Sequence, residues 1–159
     1  MKSTHWLLVA SLLVLGLTAC AAAAPSEKPP RELPLLHSWS GTYPVAELGR
    51  LPTGQQQNAN GYIGDAASFA AVWQAYMPGQ PLPQIDFAQN LVLFSRNLRF
   101  FNRTSIVKVK LSAGVAEILA IATMSAQPIK DRLAMAMVDV PRQGIKAVRL
   151  KRTEILTIR

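Results

Sequence analysis

The chain has 159 residues, with 17 lysines and arginines against nine aspartates and glutamates, a net charge of +8. This length predicts one domain with a core that needs no disulfide, and the single cysteine, Cys20, excludes an intramolecular one. The basic balance favours anionic partners or serves solubility alone.

The first 19 residues have the pattern of an export signal. Lys2 precedes an apolar run from Trp6 to Ala19. As a helix this run would rise only about 21 Å, less than the roughly 30 Å hydrocarbon core of a bilayer. Residues 1–19 are therefore predicted to be a cleaved signal rather than a membrane span.

The run ends in Leu17-Thr18-Ala19-Cys20, which resembles the lipobox of bacterial lipoproteins. The resemblance implies cleavage before Cys20 and acyl chains on that residue, which anchor the protein to the cell envelope. Ala21, in place of an aspartate, favours the outer membrane with the domain facing the periplasm, where nucleic acid is not an expected partner. An ordinary signal cleaved nearby, with a coincidental Cys20, is the alternative.

Residues 20–36 contain four prolines and no sustained period, which predicts a semi-stiff lipidated tether. The single domain is predicted to span 37–159. Its first part, 37–51, reads as an irregular segment or short edge strand, and 52–60 as a polar surface loop. A helix is expected from an N-cap at Asp65 to about Met77, with one buried face formed by residues at i, i+3, i+4 and i+7: Phe69, Val72, Trp73 and Tyr76.

Strands are predicted after this helix, at 90–96, 105–111, 115–122 and 132–140, with one or two more between 146 and 158. A hairpin joins the second and third across Ser112-Ala113-Gly114. In 105–111 the alternation places Val107, Val109 and Leu111 on the buried face and Lys108 and Lys110 on the other. The fold class is therefore α+β, a mainly antiparallel β-sheet with one amphipathic helix packed on it.

Residues for catalysis are scarce in the mature sequence. His37 is its single histidine, so the ligands of a zinc site are lacking, and it is expected to be solvated or a packing residue. The acidic residues are scattered singly, with Asp131 and Asp139 expected to pair with Arg132 or Arg142. No phosphate-binding glycine loop or nucleophile elbow occurs. We expect no enzyme, metal or cofactor; a hydrolase with a carboxylate site hidden in the sequence is the third hypothesis.

The most distinctive segment, 96–103, interleaves three arginines with two phenylalanines. Its candidate partner contacts are Arg96, Arg99, Phe100, Phe101 and Arg103. At a hairpin tip the arginines would bind carboxylates or phosphates and the rings would enter a partner pocket. The alternative buries the rings at the end of the core and leaves the arginines as a solvated rim. Trp39, Tyr43 and Tyr62 are a second candidate set, for sugars or proline-rich peptides, with core packing as the alternative.

Residues 66–149 resemble, in outline, the domain of accessory subunits of bacterial protease complexes. The likeness is carried by the helix with Phe69 and Trp73, by residues 83–87 (PQIDF) before an apolar strand, and by residues 138–142 (VDVPR) before a final one. It implies the same fold and association with a partner protein.

Together these patterns predict a lipid-anchored, non-enzymatic interaction or accessory module that binds another envelope protein. The alternative function is binding of an anionic envelope lipid or glycan through the basic surface.

Overall fold

The computed structural model describes residues 29–99, 103–123 and 129–159. The predicted signal, Cys20, Phe100 and Phe101 lie outside the described residues. The elements are β1 (Arg31–Leu33), β2 (His37–Pro44), a 3-10 helix (Val45–Arg50), β3 (Asn60–Ile63), α1 (Ala66–Tyr76), β4 (Asn90–Arg96), β5 (Thr104–Ser112), β6 (Val115–Ala122), β7 (Arg132–Pro141), β8 (Ala147–Arg149) and β9 (Ile155–Thr157).

The described strands form two sheets rather than one. Sheet A has the order β1-β5-β6-β8-β9 and sheet B the order β2-β7-β4-β3. All pairs are antiparallel except β6 with β8, which is parallel. The strand pairing confirms the predicted mainly antiparallel α+β class. The structure has two sheets where the sequence predicts one.

Sheet B is the middle of three layers. Along β4 and β7 successive side chains point to opposite faces, yet nearly every residue of both strands is buried. Leu93 and Val138 face the side chains of sheet A, whereas Phe94 and Met137 face α1. Two apolar cores therefore lie on either side of one sheet.

Helix α1 covers the second face of sheet B as the sequence predicts. The Asp65 side chain accepts a hydrogen bond from the Ser68 amide at 2.8 Å, which caps the first turn. The four residues of the predicted face are all buried, and each contributes about 1.5 to 3 kcal/mol by burial. The Tyr76 hydroxyl donates to the Met135 carbonyl at 3.0 Å, and burial raises the pKa of that phenol.

The domain begins earlier than predicted. Strand β1 pairs with β5, Arg31 opposite Leu111, and Leu33 is buried in the core between the sheets. The predicted boundary between tether and domain at residue 36 is therefore too late. Leu33, an apolar residue among prolines, belongs to the strand that completes the edge of sheet A.

Strand β3 is not among the strands predicted from the sequence, and it contains a glycine, Gly61. A Cβ at that position would lie 2.3 Å from the Phe94 ring on β4. Gly61 therefore allows β3 and β4 to approach closely, and it does not mark a loop.

The predicted β5–β6 hairpin is confirmed. Its two turn residues, Ala113 and Gly114, have φ values of 49° and 81°. Positive φ at both positions is typical of a type I′ turn, whose twist matches that of the strands. Ala113 therefore occupies a conformation that costs a residue with a Cβ about 1 to 2 kcal/mol.

We expect Ala113→Asn to stabilise the protein by about 0.5 to 1 kcal/mol, because asparagine tolerates this conformation and Asn-Gly is the favoured type I′ pair. Urea unfolding of the variant and the parent measures this change. A loss of stability would contradict the turn geometry.

Candidate functional site

The predicted contact segment contains residues of two different kinds. Arg99 and Arg103 are exposed, as partner contacts require, whereas Arg96 is 3% exposed. Phe100 and Phe101 lie outside the described residues, so the prediction made for their rings stays a prediction.

Arg96 fastens a loop rather than facing a partner. Its Nε donates to the Asn58 carbonyl at 3.0 Å and its Nη2 to the Gln56 carbonyl at 2.8 Å. The prediction of Arg96 as a surface contact is therefore wrong, because these carbonyls bring the guanidinium inside. Desolvation lowers the pKa of Arg96 to about 10, with the nearby Tyr43 opposing the shift.

The loop that Arg96 holds is the polar segment 52–59. Gln55 is buried, and its Oε1 accepts a hydrogen bond from the Tyr62 amide at 2.7 Å. Asn58 is also buried and donates to the Gly54 carbonyl at 3.2 Å. The sequence predicts that these polar side chains are solvated in a surface loop. In the structure, the side chains of Gln55 and Asn58 instead form the hydrogen bonds that hold this segment, which has no regular backbone pairing.

Replacing Arg96 by methionine is expected to destabilise the protein by roughly 2 to 4 kcal/mol, since it leaves the buried Asn58 carbonyl and the partly buried Gln56 carbonyl without donors. The matched control, Arg99→Met, changes an exposed side chain and should stay within about 0.5 kcal/mol of the parent. Urea unfolding compares the two. Equal, small effects would show that Arg96 is not a structural residue.

An exposed apolar cluster lies close to Arg103. Val107, Leu119 and Ile121 are 44%, 51% and 60% exposed. Ser105 pairs with Ile121 and Lys108 with Leu119, so the three side chains lie together on the outer face of sheet A. We call these three residues the distal patch.

A β-bulge creates this patch. The register of β5 against β6 shifts between Ile106 and Lys108, which inserts Val107 as an extra residue. Ile106 and Val109 both remain in the core, so the two residues between them are displaced to the outer face. The prediction that Val107 faces the core is therefore wrong.

The patch extends to the end of β5 opposite the one where the predicted tether would enter. Arg31 pairs with Leu111 at one end of β5, and Ile121 pairs with Ser105 near the other. Ser105 and Leu111 are six positions apart, about 20 Å at the usual rise, and Lys108, opposite Leu119, is three positions or about 10 Å from Leu111. Arg103 lies at the same end as the patch, because its carbonyl accepts a hydrogen bond from the Thr123 amide at 3.0 Å.

A cleft of about 600 Å³ lies at the opposite end, where the predicted tether would enter. Its lining includes Pro29, Arg31, Gln143 and Lys146 and contains no acidic residue. The Arg31 Nη2 donates to the Gln143 carbonyl at 3.1 Å, which holds one cation at the rim.

The histidine forms a pair that the sequence did not indicate. His37 Nδ1 lies 3.1 Å from Asp139 Oδ2, with the histidine side chain 61% exposed and the aspartate 2%. The Asn90 Nδ2 lies 3.4 Å from the same oxygen. The expected pairing of Asp139 with Arg142 is therefore wrong, since Arg142 donates to the Phe87 and Gly64 carbonyls instead.

This pair can orient an imidazole, but catalysis by an Asp–His pair also needs a nucleophile within hydrogen-bond reach. Among the described residues, the His37 ring contacts the Asp139 carboxylate and stacks on Trp39, whose ring centroid is 5.8 Å away. Within the part of the chain that the structure describes, no three histidine, cysteine or acidic residues are grouped as a metal site would require.

The second aromatic set belongs largely to the core. Tyr43 and Tyr62 are buried, and Trp39 is half-buried against Phe69 and Trp73. Desolvation raises the pKa of Tyr43 to about 12. The core-packing alternative is thus confirmed for the two tyrosines.

No family model, curated protein or solved structure matches this chain significantly. Over residues 29–99, 103–123 and 129–159, no helix is long and apolar enough to cross a membrane.

Proposed function

We propose that the protein is a lipid-anchored envelope module that binds another protein through the distal patch, with Arg103 beside it and the exposed Arg99 four positions earlier in the chain. The observation that carries this proposal is the grouping of three exposed aliphatic side chains on one sheet face. Single exposed apolar residues are ordinary, whereas grouped ones are typical of interaction sites.

Energy and charge both support a protein partner. Covering the exposed halves of Val107, Leu119 and Ile121 would contribute roughly 2 to 4 kcal/mol. Arg103, at the same end, would bind a carboxylate of the partner. The partner surface is therefore expected to be apolar in the middle and acidic around it.

Position supports the same proposal. Cys20 and Arg31 are eleven positions apart in sequence, and the chain between them can span at most about 35 to 40 Å. Acylation of Cys20 would keep the domain within this distance of the membrane. A tether of this reach lets the patch turn away from the lipid and towards envelope proteins, among which the predicted likeness to accessory subunits points to proteases.

The test places a photocrosslinking amino acid at Ile121 in the full chain, expressed in its native envelope. A discrete covalent adduct with one envelope protein is expected at this position. The matched control position is Leu82, which is 41% exposed in the connection between α1 and β4 and should give no such adduct. No adduct at Ile121, or the same adducts at both positions, would reject the proposal.

A second candidate function, binding of anionic lipid headgroups, is favoured by the basic cleft at the tether-entry end. Arg31 and Lys146 would lie near the membrane surface, where each cation contributes about 1 kcal/mol of attraction to anionic lipid.

The double variant Arg31→Gln/Lys146→Gln is expected to bind phosphatidylglycerol vesicles roughly 30-fold more weakly, as two such charges imply. Cosedimentation of the mature chain carrying Cys20→Ser measures the affinity, which should also fall as salt rises. The control pair Lys130→Gln/Arg152→Gln removes exposed cations elsewhere. Equal losses in both pairs would assign the effect to net charge rather than to the cleft.

A further inference from the structure

Strand β6 has a complete neighbour on only one of its edges. Strand β5 pairs with it from Val115 to Ala122, whereas β8 pairs with Val115 and Ala116 alone. The chain turns back directly after β8, where the Leu150 amide donates to the Glu154 carbonyl at 2.9 Å. Among the described strands, none therefore pairs with the second edge of β6 beyond Ala116.

The backbone groups that face this open edge can be identified. The Thr123 amide donates to the Arg103 carbonyl on the β5 side. Backbone groups alternate in direction along a strand, so those of Ile118, Ala120 and Ala122 face the open edge. Their amides and carbonyls form no hydrogen bond on that side with any described residue.

This edge lacks the features that usually protect an exposed strand. Proteins blunt their edges with lysine, proline or short strands. Strands β1 and β9 have three residues each, and β2, the long edge of sheet B, exposes the polar residues His37, Ser38 and Ser40. The open stretch of β6, residues 118–122 (ILAIA), contains neither charge nor proline and includes the exposed Leu119 and Ile121.

We propose that an extended segment of the partner protein adds to β6 as a new strand, hydrogen-bonded to Ile118, Ala120 and Ala122. This inference rests on the proposed function and specifies how the distal patch is used. Alternate side chains of the added strand would pack beside Leu119 and Ile121, while its backbone provides most of the affinity.

The charges around the edge define the ends of that segment. Arg103 lies beside the Ala122 end of β6, across the strand from the open edge, and Arg149, Lys151 and Arg152 follow β8 at the other end of the open stretch. Arg149 and Lys151 lie within 4 Å of Glu117 and Glu154, respectively, whereas Arg103 and Arg152 have no acidic partner among the residues described. The incoming strand should therefore carry acidic residues at its ends.

The same charges disfavour a second copy of this chain as the occupant. Antiparallel pairing of two β6 edges would bring the Arg103 end of one copy against the Arg152 end of the other. Like charges would then meet at both ends, which opposes pairing.

The first experiment uses the peptide DVTVTVTD, blocked at both termini, with KVTVTVTK as its charge-reversed control. Amide hydrogen exchange is followed by NMR on the mature chain carrying Cys20→Ser. Saturating acidic peptide is expected to slow exchange at Ile118, Ala120 and Ala122 at least tenfold, and the lysine peptide is expected to leave it unchanged.

Three results would overturn the proposal. The first is unchanged exchange with the acidic peptide, and the second is equal slowing with both peptides. The third is slowing that follows protein concentration without peptide, which would identify a second copy as the occupant.

The second experiment combines the crosslinker at Ile121 with Ala122→Pro, which removes an edge-facing amide and leaves the β5 pairing intact. Proline is tolerated on edge strands at such positions. The control, Ala122→Val, retains the amide. The adduct yield should fall at least tenfold with proline and stay unchanged with valine.

Equal adduct yields from a folded Ala122→Pro variant and from Ala122→Val would overturn strand addition while leaving the proposed function intact. Absence of an adduct in every variant would reject both. If thermal denaturation shows that the proline variant is unfolded, the exchange experiment on the parent chain decides.

Discussion

The burial of both faces of β4 and β7 is the constraint on which the rest of the fold depends. Antiparallel sheets commonly leave one face to solvent, but here both faces of sheet B are apolar. Each face must be covered, one by α1 and the other by the inner face of sheet A. Solvent therefore reaches the outer face of sheet A, where grouped aliphatic side chains have no role in the core. That is why we propose a binding role for the distal patch rather than a role in the core.

The bulge at Val107 connects this architecture to the proposed binding surface. One inserted residue keeps Ile106 and Val109 in the core and turns Val107 outward beside Leu119 and Ile121. Bulges also increase the local twist of a strand pair. The ladder to β8 ends after Ala116, so the exposed side chains and the unpaired backbone edge occur on the same stretch of β6. Side chains for specificity and backbone groups for affinity are thus available together.

The sequence predicts most elements because their signals are local. The Asp65 cap, the i, i+3, i+4, i+7 face of α1 and the apolar runs of β4 and β7 need no tertiary information. The site was predicted only in part, because its determinants are not local. Val107, Val109 and Leu111 alternate with lysines and so conceal the bulge, whose one local sign is the adjacent apolar pair Ile106-Val107. Arg96 is buried only because carbonyls 38 and 40 residues away in sequence approach it. For the same reason His37 pairs with Asp139, 102 residues away.

The central claim is that β6 and the distal patch are covered by another protein in the envelope. Hydroxyl-radical footprinting of the full chain in intact cells and after purification tests this most directly. The account predicts that Leu119 and Ile121 are oxidised several-fold less in cells than in the purified protein, while Leu82 is oxidised equally in both. Equal oxidation of all three residues in both states would contradict it.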